Sequence, residues 1–435
     1  MSIAMAGVAD TSRPRSTELY RRGQAVFPDG VTRVTIERDP HPIYVTRGEG
    51  AFVVDVDGHR LLDLNNNFTT LLHGHAFEPV VKAVAQLLRS GSCFANPTTH
   101  EIALAELLVA RIPALEKIRF VNTGTEAVMF AVKAARAFTG RPAVARFEGA
   151  YHGAYDWAEG EQYRPAPRDG NHESDVLHLR FNDVAGTQAA LTAHADRLAA
   201  VLIDPMPSRA GLIAPTREFI TGLMTVARQL GILIIADEVL NLRQGFCGAS
   251  HRYGLQPDLL TAGKIIGGGF PVGAVGGRGD VMAVFGAGAN AATVSQGGTF
   301  SANPVSMCAG LVAMEAADEP CFADLERKGD ALRARLTSIA AQAQAPFSVT
   351  GAASLFRIHG KRQAPRTYAE TLASAEEQKR LVALTRFFRA QDILLPLGAA
   401  ASLSTAMTND DLNHVANTFA AFVAEAGSDT QEAQQ

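Results

Sequence analysis

Three short stretches place residue types that could do chemistry at suggestive spacings. In TAGKIIGGGF, residues 261–270, Lys264 stands between an apolar pair and three glycines, a poor place for a solvated surface charge. Partial burial lowers a lysine's pKa, and the neutral ε-amine is the nucleophile that forms Schiff bases. Most lysines simply reach solvent from loops, so Lys264 by itself decides little. ADEV, residues 236–239, follows an apolar run and puts Asp237 and Glu238 at the tip of a strand. A carboxylate there can hold a protonated ring nitrogen, or equally cap the next turn. NTGTEA, residues 122–127, follows another apolar run and opens a helical pattern. Thr123 and Glu126 have capping-box spacing, while Gly124 and Thr125 bring backbone N–H groups and a hydroxyl to a helix N-terminus, a cradle suited to phosphate. A plain capped helix would carry the same residues.

The elements that must position these groups follow from the patterning. Apolar runs at 118–121, 143–146, 200–203, 232–236 and 272–275 read as strands. Amphipathic segments separate them, such as 126–138, where Val128, Ala131, Val132 and Ala135 recur at helical spacing. This alternation predicts an α/β fold with a doubly wound, mostly parallel sheet, in which ligands sit outside the carboxyl ends of the strands. The spacing from Asp237 to Lys264 leaves room for a crossover between neighbouring parallel strands. Residues 51–64 read as a hairpin around Asp57-Gly58, after a helix and extended chain. The expected organisation is an N-terminal segment, 1–75, joining a smaller α+β domain; a large domain, 76–320; a C-terminal part of the small domain, 321–425, opening with a charged helix at 324–341; and a polar tail, 426–435, read as disordered.

The 435 residues carry a net charge of -4, with 47% hydrophobic and 19% charged side chains. That balance gives no electrostatic reason to expect nucleic acid or an anionic membrane as partner. The four cysteines are scattered without a CxxC pair or histidines at ligand spacing, which argues against a metal site or disulfide framework and fits the cytoplasm. Neither a signal peptide nor a membrane-spanning run is legible. Gly267, Gly269 and Gly273 lack dinucleotide-loop spacing, and GRGD at 277–280 reads as chance.

NTGTEA, the triplet Tyr151-His152-Gly153, ADEV, GKIIGGGFPVGAVGG at 263–277 and GGTFSANP at 297–304 occur in one order along the chain. Together they resemble the class III (ω-type) aminotransferases of pyridoxal-5′-phosphate (PLP) fold type I. Within that family the likeness is to the β-amino-acid (β-phenylalanine-type) aminotransferases and to glutamate-1-semialdehyde aminomutase. It runs from about residue 20 to 422, weaker at both ends. The resemblance implies that Lys264 carries PLP as a Schiff base and shuttles the substrate proton, while Asp237 pairs with the pyridine nitrogen. It implies further that Gly124 and Thr125 hold the phosphate and that Tyr151 and Val239 cover the two ring faces. Thr299 would reach the phosphate of the neighbouring subunit's cofactor in a homodimer. Glu126 would order the site, and His152 reads as a structural histidine without a catalytic role.

The chain also departs from the family pattern. Asp204-Pro205 stands where many members have Glu-Pro, and ILLPLGAAASLS at 393–404 lacks the arginine that grips a substrate α-carboxylate. Arg33 matches an N-terminal arginine that binds the distal carboxylate in the β-amino-acid enzymes, and Arg243 is a second candidate. The implied function is a transaminase that passes the amino group of a β-amino acid or ω-amine to an oxo acid, pyruvate or 2-oxoglutarate. The alternative is a glutamate-1-semialdehyde 2,1-aminomutase-like isomerase. A non-catalytic PLP-binding regulator is disfavoured, since no basic region precedes the body.

Overall fold

Residues 13–38, 41–154, 158, 175–286, 294–398 and 400–432 are described in the computed structural model. Near the N-terminus β1 (Val45–Glu49), β2 (Phe52–Asp55) and β3 (Arg60–Asp63) pair antiparallel in sequence order. The β2–β3 turn is fixed by Asp55, whose Oδ1 accepts from the backbone N–H groups of Asp57 (2.9 Å) and His59 (2.8 Å). Asp57 in turn caps the helix Pro14–Gln24, accepting from the amides of Arg15 (2.7 Å) and Ser16 (3.0 Å).

The central sheet holds β4 (Lys117–Val121), β5 (Ala143–Phe147), β6 (Val176–Leu179), β7 (Leu198–Ile203), β8 (Leu233–Asp237), β9 (Leu259–Gly263) and β10 (Gly273–Gly277). Their spatial order is β4-β10-β9-β8-β7-β5-β6. Successive residues of its central strands alternate between two cores. Val144, Ala200, Leu202, Leu233 and Ile235 meet the helix Gly124–Thr139 through Ala127, Val128, Ala131 and Ala135. Ala145, Phe147, Val201, Ile203, Ile234 and Ala236 meet the helix Arg217–Leu230 through Phe219, Ile220 and Leu223. Burial on both faces explains why these strands are unbroken apolar runs.

Further along, β11 (Ser348–Thr350) and β12 (Leu355–His359) form a sheet that β14 (Ala401–Ser402) completes, whereas β13 (Ile393–Leu394) lies parallel to β3. The N-terminal hairpin and the C-terminal segment thus share one sheet. The charged helix begins earlier than its charge pattern suggests, at Glu319, because Asp318 accepts from the Cys321 amide (2.8 Å) as N-cap and Pro320 fits the first turn. The last helix, Asn409–Glu432, runs through most of the stretch read as a disordered tail; residues 433–435 lie outside the described residues. No helix among the described residues is long and apolar enough to cross a membrane.

One strand runs against the others. β10 is antiparallel to both β4 and β9, because the nine residues that join it to β9 are too few for a crossover. The remaining strands are parallel, so β4, β5, β7, β8 and β9 all deliver their carboxyl ends to one edge. β10 fits between its neighbours because it is nearly bare of side chains. A Cβ at Gly273 would lie 2.0 Å from the carbonyl oxygen of Thr123. Gly273→Ala is therefore expected to cost about 2–3 kcal/mol, as overpacking against immovable backbone does. Thermal unfolding reads it, and an unchanged Tm would mean that the strands can part.

Candidate active site

Each of the five strand ends contributes one part. Beyond β4 the helix Gly124–Thr139 starts with Thr123 as N-cap, its Oγ1 accepting from the Glu126 amide (3.1 Å). Glu126 reaches one residue further back than a capping box would and accepts from the Asn122 amide (2.6 Å). The loop beyond β5 closes on this helix end, where the Ala154 amide donates to Thr125 Oγ1 (3.2 Å). Only glycine fits at 153, with φ +118° and a hypothetical Cβ 2.8 Å from Thr125 Cα. Val239, past β8, packs where a Cβ on Gly124 would come within 2.6 Å of it.

Asp237, the last residue of β8, is buried and held by three donors. Its Oδ1 accepts from the Val239 amide (3.1 Å) and Thr261 Oγ1 (3.1 Å), while Oδ2 lies 2.7 Å from His152 Nδ1. His152, read from the sequence as a structural histidine, has this carboxylate as its partner. Its imidazole is fully buried, and burial pushes its pKa down while Asp237 opposes the shift. A proton on Nδ1 serves Asp237, and among the described residues Nε2 has no hydrogen-bond partner. The only sign of this in the sequence is the Tyr-His-Gly triplet after an apolar run. Glu238 points elsewhere, capping the Ala249 and Ser250 amides (2.7 Å each).

Lys264 follows β9 in a left-handed conformation, φ +51°, that costs an ordinary side chain on the order of 1–2 kcal/mol. Burial lowers its pKa to about 8; Asp237 and Asp204 work against the shift, and Arg243 and Arg209 reinforce it. Asp204, past β7, is a second buried carboxyl. Burial first, then Asp237, raises its pKa well above the usual range, and its Oδ1 accepts from the Met206 amide (2.9 Å) and the Asn241 amide group.

The arginines separate clearly. Arg243 is fully buried and commits Nε to Ser354 Oγ (3.1 Å), Nη1 to the Thr69 carbonyl (2.8 Å) and Nη2 to the Leu403 carbonyl (2.5 Å). It is a structural clamp, not a substrate contact as its distance from Asp237 in sequence suggests. Arg33 is exposed, 5.5 Å from the ring centroid of Phe68. Thr299 is exposed as well, beside Phe300, and neither Arg33 nor Thr299 hydrogen-bonds to Lys264 or Asp237. Arg209, not singled out in the sequence, lies 3.8 Å from the centroid of Tyr151.

This donor set fits one kind of guest. A helix N-terminus with Thr125 suits a phosphate, and a held carboxylate suits a cationic ring nitrogen. The family model for class-III aminotransferases matches residues 34–385. The chain belongs to the class-III aminotransferase family. Class-III aminotransferases use PLP, and solved relatives hold PLP or PMP. An ω-transaminase from Sphaerobacter thermophilus is 42% identical with TM-score 0.91, over 94% of this chain and 97% of that one. The β-phenylalanine aminotransferase from Variovorax paradoxus is 31% identical with TM-score 0.89, over 96% and 95%. A glutamate-1-semialdehyde 2,1-aminomutase from Methanothermobacter thermautotrophicus is 37% identical across 83% of this chain and 87% of its own length.

The depressed pKa of Lys264 can be read directly on this class-III protein freed of cofactor. Competitive acetylation followed by peptide mass spectrometry is expected to show Lys264 gaining reactivity through pH about 8, since a lowered pKa leaves the amine neutral above that value. A midpoint in the range of a free lysine, about 10.4, would show that the charged form is not penalised.

Proposed function

We propose that this protein is a PLP-dependent transaminase that moves the amino group of a β-amino acid or ω-amine to an oxo acid such as pyruvate or 2-oxoglutarate. The observation that carries the reading is Lys264, held in a strained conformation with its charge disfavoured, beside a carboxylate that three donors keep in place. Lys264 forms the covalent bond to the cofactor and, while neutral, takes and returns the proton at the reacting carbon. Asp237 holds the proton on the ring nitrogen, and His152 orients Asp237. Gly124 and Thr125 receive the phosphate at the helix N-terminus, and Tyr151 and Val239 bound the ring slot. Bound there, PLP supplies the electron sink for loss of the substrate proton.

Thr299 serves the phosphate site of the partner in a homodimer. Its exposure supports this, as do Leu88, Phe94, Ile102 and Phe300, apolar side chains each more than half exposed. Arg33 binds the carboxylate of the donor when that carboxylate lies one carbon further from the amine than in an α-amino acid. The likeness to the ω-transaminase and the β-phenylalanine aminotransferase supports the donor class, as does the lack of an arginine at 393–404. A second reading, an isomerase of the aminomutase type, is favoured by the name of the M. thermautotrophicus relative.

Two measurements decide these points. Borohydride reduction of the purified holoenzyme is expected to fix the cofactor on Lys264; an adduct on Lys82, Lys117 or Lys133 would overturn the assignment. Turnover of a β-amino acid is expected only when pyruvate or 2-oxoglutarate is supplied. Conversion of glutamate-1-semialdehyde without any external acceptor would favour the isomerase.

A further inference from the structure

An exposed arginine such as Arg33 samples many rotamers and loses them when it binds a carboxylate. Its backbone is already fixed, because Arg38 laces the turn that carries it. Arg38 donates through Nη1 to the carbonyls of Val34 (3.2 Å) and Ile36 (3.0 Å), and through Nη2 to that of Arg33 (3.4 Å). Its Nε reaches the Asp29 carbonyl (3.3 Å), and Nη2 lies 3.0 Å from the Asp29 carboxylate. The side chain of Arg33 is tied differently. Among the described residues it makes no hydrogen bond or ion pair, and its guanidinium carbon lies 5.5 Å from the ring centroid of Phe68.

Phe68 stands on backbone held in an unfavourable form. Asn66, Asn67, Phe68 and Thr69 have φ of 49°, 50°, 55° and 71°, a left-handed turn built without glycine. Asparagine tolerates that conformation, whereas an aromatic and a β-branched residue are crowded by their own carbonyls. The turn persists because its ends are anchored in the interior. Buried Asn66 donates through Nδ2 to the carbonyl (2.8 Å) and the Oγ (3.2 Å) of Ser402. The Thr69 amide donates to the Asn65 carbonyl (2.8 Å), and the Thr69 carbonyl accepts from Arg243 (2.8 Å), whose charge acts on Lys264. Leu71, just beyond, covers the glycine turn that follows Lys264, its Cδ2 3.3 Å from where a Cβ on Gly269 would stand. Strain that buried anchors maintain beside a reacting group marks a position with a task.

We propose that Phe68 is a positioning residue for the donor's carboxylate: the left-handed turn aims its ring at Arg33, and the ring holds the guanidinium ready beside the Lys264 turn. This rests on the reading of Arg33 as the group that meets the carboxylate of a β-amino donor. A ring suits the task better than an acidic partner. Its face attracts the cation while leaving free the in-plane N–H fork that matches a carboxylate bidentately. A carboxylate in its place would occupy that fork and compete with the substrate. Donors without a carboxylate make no use of the pair.

The test is a double-mutant cycle on the holoenzyme with Phe68→Leu, Arg33→Gln and both changes together. Two donors are compared with pyruvate as acceptor: 3-aminobutanoate, and 2-aminobutane, which has a methyl group in place of the carboxylate. The ratio of kcat/KM for the first donor over the second is expected to fall about threefold to tenfold in Phe68→Leu, mostly through KM. Phe68→Trp is expected to keep the ratio near that of wild type, and Phe68→Leu to lower it no further once Arg33→Gln is present. Calorimetric titration with 3-hydroxybutanoate, which keeps the carboxylate but has no amine to react, is expected to show binding weakened by a similar factor in Phe68→Leu. If Arg33→Gln lowers the ratio but Phe68→Leu does not, or lowers it equally without Arg33, the proposal is overturned and the reading of Arg33 stands. A ratio that Arg33→Gln leaves unchanged would sink the reading of Arg33, and the role of Phe68 with it.

Discussion

A carboxylate buried at the end of a parallel strand needs hydrogen-bond donors, and much of this structure follows from how Asp237 is met. One of its oxygens takes the amide of Val239 and the hydroxyl of Thr261, from its own strand's turn and from β9. The other faces His152, which arrives from the end of β5. Three strand ends are thereby held in register around a single side chain. Burial first, and then the charge of Asp237, raises the pKa of Asp204; at Lys264 burial lowers the pKa and Asp237 opposes it.

The frame around this carboxylate was largely legible before any coordinates. Strands buried on both faces leave uninterrupted apolar runs, so β4, β5, β7 and β8 stood out, and the glycine-threonine turn at 123–125 announced a helix N-terminus. β9 was harder, since LLTAG offers only a short apolar pair, and β6, four residues long, left no clear run at all. The direction of β10 was hidden for another reason. Periodicity carries no direction, and only the short link from β9 shows that the chain must double back. The glycines of β10 let two backbones approach in the fold.

Side-chain partnerships far apart along the chain were the least legible. Nothing near His152 points to Asp237, and nothing near Arg243 points to carbonyls at 69 and 403 or a hydroxyl at 354. Spacing alone therefore placed Arg243 too close to the chemistry. Arg209 escaped notice because an isolated arginine in a proline-marked stretch reads as surface. Its meaning comes from Tyr151, which belongs to the end of a different strand.

The pairing of β3 with β13 sets an order of events during synthesis. Leu62 finds its second strand partner only when Ile393 has left the ribosome, so the hairpin made first waits with one edge open while the 331 residues from 62 to 393 follow. Leu61 and Leu62, buried in the finished protein, stand for that interval on a strand with a neighbour on one side only. Such an edge is a template for pairing with another chain. The central sheet, whose strands all lie between residues 117 and 277, closes without either terminus. The nascent protein thus passes through a stage with its cofactor-facing sheet complete and its first hairpin unclaimed, the stage at which a chaperone would have most to protect.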